Sequence, residues 1–201
     1  SARVLETIQD KYVQKCFLQR SAIPTGGFYS AANIEEISTS LPIVLKARRD
    51  GYDGRGVSII RDKADLEAVS GFPILVEEVV DIDYELAVMV ARSGDGHIIC
   101  YPVVDMFMDS AKHVMDMIVA PSAAPEDVQK KCTDLAIAIV ENLEYIGVLA
   151  VEFFVDQSGG VSVNEISPRP HNSGHYTIEA CRTSQFEQHL RAVSGMSLGT
   201  A

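Results

Sequence analysis

Apolar residues at Leu5, Ile8, Tyr12 and Cys16 recur every three or four positions, and this spacing predicts a helix over 5–20. Pro24 and the Gly26-Gly27 pair end it. The run LPIVLK at 41–46 reads as a buried strand. A glycine-rich loop at 51–56 and a second apolar run at 57–60 make it one arm of a hairpin with a long tip. A short helix over 62–69 opens on an Asp, and 74–80 is a strand. Residues 84–91 and 97–104 alternate as an antiparallel pair around Ser93-Gly94-Asp95-Gly96. The clearest helix is 125–143, with Pro and acids in its first turn. Strands at 148–155 and 161–166 flank Gln157-Ser158-Gly159-Gly160, and a helix over 183–194 closes on Gly195. Strands and helices mix without a strict βαβ rhythm, which predicts an α+β fold without internal repeats.

Composition narrows the function classes. At 201 residues and 47% hydrophobic, the chain can bury a substantial core. A net charge of -11 argues against a general nucleic-acid or anionic-membrane surface, and no apolar stretch is long enough to span a bilayer. It leaves room for a small anion held by a few local cations. Cys16, Cys100, Cys132 and Cys181 form no CxxC pair, which predicts reduced thiols in a cytoplasmic protein and no zinc site.

Three constellations carry chemistry. KARRDGYDGRG (46–56) combines glycines, whose backbone N–H groups can approach a phosphate closely, with Lys46, Arg48, Arg49 and Arg55. It is neither a Walker A nor a GxGxxG pattern, and its plain alternative is a flexible hairpin. Glu152 and Glu165 fall opposite each other if the hairpin turn is centred between Ser158 and Gly159. Like charges so placed repel, and a divalent cation between them reverses the sign. Glu152 lies in the otherwise apolar AVEFFV, which weakens the alternative of two solvated glutamates. NEISPRPHNSGH (164–175) crowds Arg169, His171, Asn172 and His175 into a proline-stiffened loop suited to a carboxylate, bicarbonate or phosphate, its alternative a polar structural loop. Lys11 and Lys15, four apart, read as a solvated helix face, and Glu77, Glu78 and Glu85 as an acidic surface cluster. His97, His113 and His189 read as structural.

GYDGRG, VNEISPRPHNSGH and TSQFEQHLRAVSG together resemble the ATP-grasp domain of the 5-(carboxyamino)imidazole ribonucleotide synthases, a domain similar to one in plant and fungal phosphoribosylaminoimidazole carboxylases. The resemblance covers essentially the whole chain. It implies an ATP-grasp fold with two α+β subdomains, here 1–76 as the lid and 77–201 as the larger unit, gripping ATP. The implied reaction carboxylates aminoimidazole ribonucleotide with bicarbonate through carboxyphosphate, using ATP and Mg²⁺, in purine biosynthesis. The implied parent is a homodimer.

By the same resemblance Lys11 and Lys46 match ATP-phosphate ligands. Gly51, Tyr52, Asp53, Gly54, Arg55, Gly56 and Val57 match a mobile loop. Glu77, Glu78, Val79 and Val80 match the hinge strand at adenine, Glu85 the ribose ligand, and Glu152 and Glu165 the Mg²⁺ ligands, with Asn164 adjoining. Tyr52, Asp53 and Arg55 resemble residues near the ribonucleotide, and Arg169, His171 and Asn172 the bicarbonate and carboxyphosphate site.

Met108 stands where many relatives carry a nucleotide-proximal His, and the chain is expected to lack the family's N-terminal Gly-rich domain and its C-terminal domain. The alternatives are a nucleotide-binding module without turnover and a relative of formate-dependent glycinamide ribonucleotide transformylase. HNSGH and SQFEQHLRA disfavour the second.

Overall fold

The computed structural model describes residues 2–38, 40–49, 56–67, 69, 71, 73–109 and 114–201, with only the backbone of Val114. Two short helices open the chain, α1 (Ala2–Ile8) and α2 (Lys11–Arg20). The single helix expected over 5–20 is broken because Asp10 is an N-cap. Its carboxylate accepts the backbone N–H groups of Tyr12 (3.0 Å) and Val13 (3.3 Å), which restarts the helix one residue later.

A four-stranded antiparallel sheet follows, built from β1 (Phe28–Ala31), β2 (Ile43–Ala47), β3 (Val57–Ile60) and β4 (Ile74–Glu78) in the order β1-β4-β2-β3. A 3-10 turn (Ile34–Glu36) and the short helix α3 (Lys63–Glu67) connect its strands. Ala31, Ile43, Leu45, Ile60, Ile74 and Val76 form its core.

The second sheet contains β5 (Ile82–Arg92), β6 (Ile98–Cys100), β7 (Val104–Asp109), β8 (Val114–Val119), β9 (Gly147–Asp156) and β10 (Val161–Ser167). Its order is β10-β9-β5-β7-β8, with β6 pairing to β5, and every pairing is antiparallel. The helix α4 (Glu126–Asn142) lies between β8 and β9 in sequence. It buries Val128, Cys132, Ala136, Ile139 and Val140 against Leu86, Val88 and Val90 of β5. Ala87, Met89 and Ala91 point to the other face, so β5 is apolar on both sides and reads as a continuous run. A 3-10 turn (Asn172–Gly174), the one-turn helix α5 (Thr177–Ala180) and the helix α6 (Gln185–Val193) complete the chain.

The N-terminal helices, expected with the lid in 1–76, instead bury Val4, Ile8 and Leu18 in the core of the six-stranded sheet. The small layer therefore runs from Phe28 to Glu78. Among the described residues no helix is long and apolar enough to cross a membrane. All four thiols are free, and burial pushes Cys100 up to about 11 and Cys132 up to about 12, so both stay protonated.

Candidate functional site

The two sheets face each other across a cleft of about 390 Å³. One end is polar and the other apolar.

The polar end is organised by the β9–β10 hairpin. Its turn residues Ser158 and Gly160 donate backbone N–H groups to Asp156 Oδ1, each at 2.8 Å. Glu165 is the cross-strand partner of Glu152, as the hairpin reading expects, but the register arrives there through a bulge between Val163 and Glu165. A bulge re-aims a side chain that strict alternation would send to the other face. Here it brings Asn164 in beside Glu165: Asn164 Nδ2 donates to Glu152 Oε2 at 3.3 Å. Asn164 Oδ1 accepts from Lys46 Nζ at 3.0 Å, while Lys11 Nζ pairs with Glu165 Oε2.

Burial, then the charges of Glu165 and Glu85, push the Glu152 carboxyl up to about 7. Glu85 itself is raised by burial. Two opposed carboxylates, one of them held far above its ordinary range, are a donor set that a divalent cation fits, since the cation converts their repulsion into attraction.

Lys15 is the largest departure from the sequence reading. It is buried, not a solvated helix face. Its ammonium donates to Glu77 Oε1 (2.7 Å), Thr25 Oγ1 (2.7 Å) and the Val163 carbonyl (3.2 Å). The other oxygen of Glu77 takes Lys46 Nζ at 2.5 Å. Glu77, expected at the adenine end of the hinge strand, thus turns its carboxylate to the lysines. Burial alone would raise its carboxyl, but Lys46 and Lys15 outweigh that and hold it below its ordinary value. Burial pulls Lys15 down, partly offset by Glu77. The ion chain Lys15–Glu77–Lys46–Asn164 crosses from α2 through β4 and β2 to β10 and ties the two layers together.

Arg48 and Arg49, read with the phosphate loop, are committed elsewhere. The Arg48 guanidinium forks onto the buried Asp10 carboxylate, with Nη2 at 2.7 Å and Nε at 3.0 Å from its oxygens, and stacks over Tyr12 at 5.0 Å. Arg49 Nε reaches the same carboxylate at 3.3 Å. Residues 51–55 of the glycine loop, including Tyr52, Asp53 and Arg55, lie outside the described residues. Gly56 adopts φ 80°, and its carbonyl accepts Ala47 N–H at 2.7 Å to close the loop's base.

Beyond β10, Arg169, His171 and Asn172 line the same polar end. Arg169 donates to the Pro170 carbonyl (3.0 Å), and His171 Nε2 lies 3.5 Å from Glu152 Oε1. Tyr145 Oη donates to the Pro168 carbonyl at 2.8 Å. Gln14 holds Ile166 by both backbone groups, accepting its N–H at 2.8 Å and donating to its carbonyl at 3.0 Å.

The apolar end is lined by Val44, Val57 and Ile59 from the small sheet and by Met106, Met108, Met115 and Phe154 from the large one. Glu78, Val79 and Val80 form its rim, and Glu85 sits between the two ends. Lys11, Lys46, Val57, Glu77, Glu78, Val79, Val80, Glu85, Glu152, Asn164, Glu165, Arg169, His171 and Asn172 all line this one cleft. Sequence reasoning missed Lys15, Gly26 and the methionine floor. Met108, singled out only as a substitution, lines the cleft beside Met106 and Met115.

Two antiparallel α+β layers closing a lysine- and carboxylate-lined polar end against an apolar end define a nucleotide-gripping class of fold. Residues 16–186 match the ATP-grasp domain family, and the chain belongs to that family.

The chain is 42% identical over 205 residues to N5-carboxyaminoimidazole ribonucleotide synthase of Synechococcus elongatus, an alignment that covers 98% of the chain and 51% of that protein. The crystal structure of N5-carboxyaminoimidazole ribonucleotide synthetase from Thermotoga maritima superposes with a TM-score of 0.89 at 44% identity, covering 98% of this chain and 52% of that one. The Aspergillus clavatus synthase, solved in complex with ADP and 5-aminoimidazole ribonucleotide, superposes with a TM-score of 0.88 at 29% identity, covering 99% and 54%. The chain spans about half the length of these relatives.

Proposed function

We propose that this chain is the ATP-grasp domain of an N5-carboxyaminoimidazole ribonucleotide synthase. In this reading it binds Mg-ATP in the cleft and activates bicarbonate as carboxyphosphate, for carboxylation of aminoimidazole ribonucleotide in purine biosynthesis. The observation that carries the reading is the Glu152/Glu165 pair set in register beside Lys11 and Lys46. The resemblance of the chain to relatives of that name supports the substrate.

The purine lies among Val44, Ile59, Met106 and Met115, with the backbone of 78–80 at its edge. Glu85 faces the ribose. Lys11 and Lys46 carry the phosphates, and Glu152 and Glu165 would hold Mg²⁺, which would supply charge neutralisation for the phosphates. Arg169 offers a planar fork to bicarbonate, with Asn172 beside it. His171 presents a ring nitrogen between that loop and Glu152. The resemblance assigns Tyr52, Asp53 and Arg55 to ribonucleotide binding. The free thiols fit a cytoplasmic enzyme, and the resemblance supports a homodimeric parent.

The chain spans about half of each of these relatives, and the ribonucleotide step is proposed for the enzyme that carries this domain. Without the alignment and water exclusion that step needs, activated bicarbonate hydrolyses. ADP release by this chain with Mg-ATP is expected to rise with bicarbonate and to be indifferent to formate. Stimulation by formate and not bicarbonate would overturn the substrate assignment in favour of a transformylase relative.

A further inference from the structure

The loop that carries His171 is held by a side chain that lies outside the cleft. Gln185, the first residue of α6, is buried, and its amide makes both of its bonds to one residue. Oε1 accepts His171 N–H at 2.8 Å and Nε2 donates to the His171 carbonyl at 2.9 Å. The backbone N–H of Gln185 donates to Thr177 Oγ1 (2.9 Å), whose hydroxyl donates to the Gly174 carbonyl (2.6 Å). Gly174 packs so closely on the Gln185 amide that a Cβ there would collide with it.

The His171 ring is oriented in turn. Its Nδ1 accepts Ser173 N–H at 3.3 Å and lies 3.0 Å from Ser173 Oγ. A backbone N–H can only donate, so the neutral ring carries its proton on Nε2, the nitrogen 3.5 Å from Glu152 Oε1.

We propose that Gln185 is a positioning residue for His171, its two-bond clamp fixing the backbone so that the ring stays in the Nε2–H tautomer facing the cleft. Its importance for turnover rests on the anion-site reading above. The clamp itself does not. The plain alternative, a buried amide that only stabilises the fold, is represented in the same helix: Gln188 grips Gly199 by both backbone groups, each at 2.8 Å, and touches nothing in the cleft.

The test is ¹⁵N NMR of the histidine rings in the folded chain, free of metal and nucleotide, at a pH where the rings are neutral. His189, whose Nδ1 accepts Val148 N–H at 3.1 Å, reports whether α6 remains seated. Gln185→Met is expected to leave the His189 signature intact and to replace the single His171 tautomer by an exchanging mixture. Gln188→Met is expected to leave the His171 tautomer unchanged. Should Gln185→Met not fold, Thr177→Val, which removes the support of the clamp, is expected to produce the same mixture. A single His171 tautomer surviving in a folded Gln185→Met or Thr177→Val chain would overturn the proposal, as would an equal loss in Gln188→Met. Mg-ADP affinity is expected to stay within about twofold in Gln185→Met. If the parent binds no Mg-ADP while the tautomer still responds, the functional reading fails and the clamp stands.

Discussion

The two ends of the cleft are built on opposite principles. At the apolar end, shape is enough: methionine, valine and isoleucine side chains from β2, β3, β7 and β8 converge with Phe154 of β9, and exchanging one for another of similar volume changes little. At the polar end every charge depends on a particular neighbour. Lys15, Glu77, Lys46, Asn164 and Glu152 form one chain of contacts, and Lys11 and Glu165 form a pair beside it. Removing Glu77 from this chain leaves buried lysine charge uncompensated, whereas trimming the apolar wall loses only some contact area. The comparison teaches where the domain can tolerate change. Its apolar end is permissive, and its polar end is not.

The largest expected effect follows from Glu77, which compensates two lysines at once. Glu77→Leu strands Lys15 among Thr25 and the Val163 carbonyl and should cost about 3–5 kcal/mol in urea unfolding. A loss below about 1 kcal/mol would mean that the lysines find other partners and that the two ends of the cleft do not differ as described.

The next effect depends on pH. The Glu152 carboxyl sits at about 7 against an ordinary 4.5, so folding takes up a proton between those values. Stability from this group is complete below about 4.5 and falls as pH climbs towards 7. Glu152→Gln should remove that fall and leave the metal-free chain about 2–3 kcal/mol more stable than the parent at pH 8, with little difference at pH 4.5. Denaturation curves at the two pH values measure it, and equal differences at both would show that the carboxyl is not perturbed.

The smallest effect belongs to the apolar wall. Met115→Ala should weaken ADP roughly fivefold, the equivalent of about 1 kcal/mol of lost contact, and leave the fold intact. A loss as large as that from a polar-end substitution would erase the contrast between the two ends.

The same contrast decides how much was legible in the sequence. Glu152 and Glu165 could be found because strand periodicity fixes which residues oppose each other, although the bulge at Asn164 that completes the register could not. Lys15 could not be read, because its burial depends on β4 carrying Glu77 over it from residues far along the chain. The break between α1 and α2 at Asp10 could not be read, because apolar spacing continues across it. β1 and β8 escaped because FYSA and VMDMIV show no clean alternation, and their pairing comes from neighbouring strands. The methionine floor has no local signature at all, since its residues share a surface only after β7 and β8 pair. Arg48 and Arg49 misled because a cation beside a glycine loop looks like a phosphate ligand until its carboxylate partner is known.

The central claim is that Glu152 and Glu165 bind nucleotide through a divalent cation. Calorimetric titration of ADP into the folded chain, with and without Mg²⁺ and beside Glu165→Gln, tests it most directly. The account predicts binding by the parent that depends on Mg²⁺, and a loss of roughly tenfold or more in Glu165→Gln with the fold retained. Glu165→Gln binding Mg-ADP as tightly as the parent, or a folded parent that binds none at about 1 mM nucleotide, would contradict it.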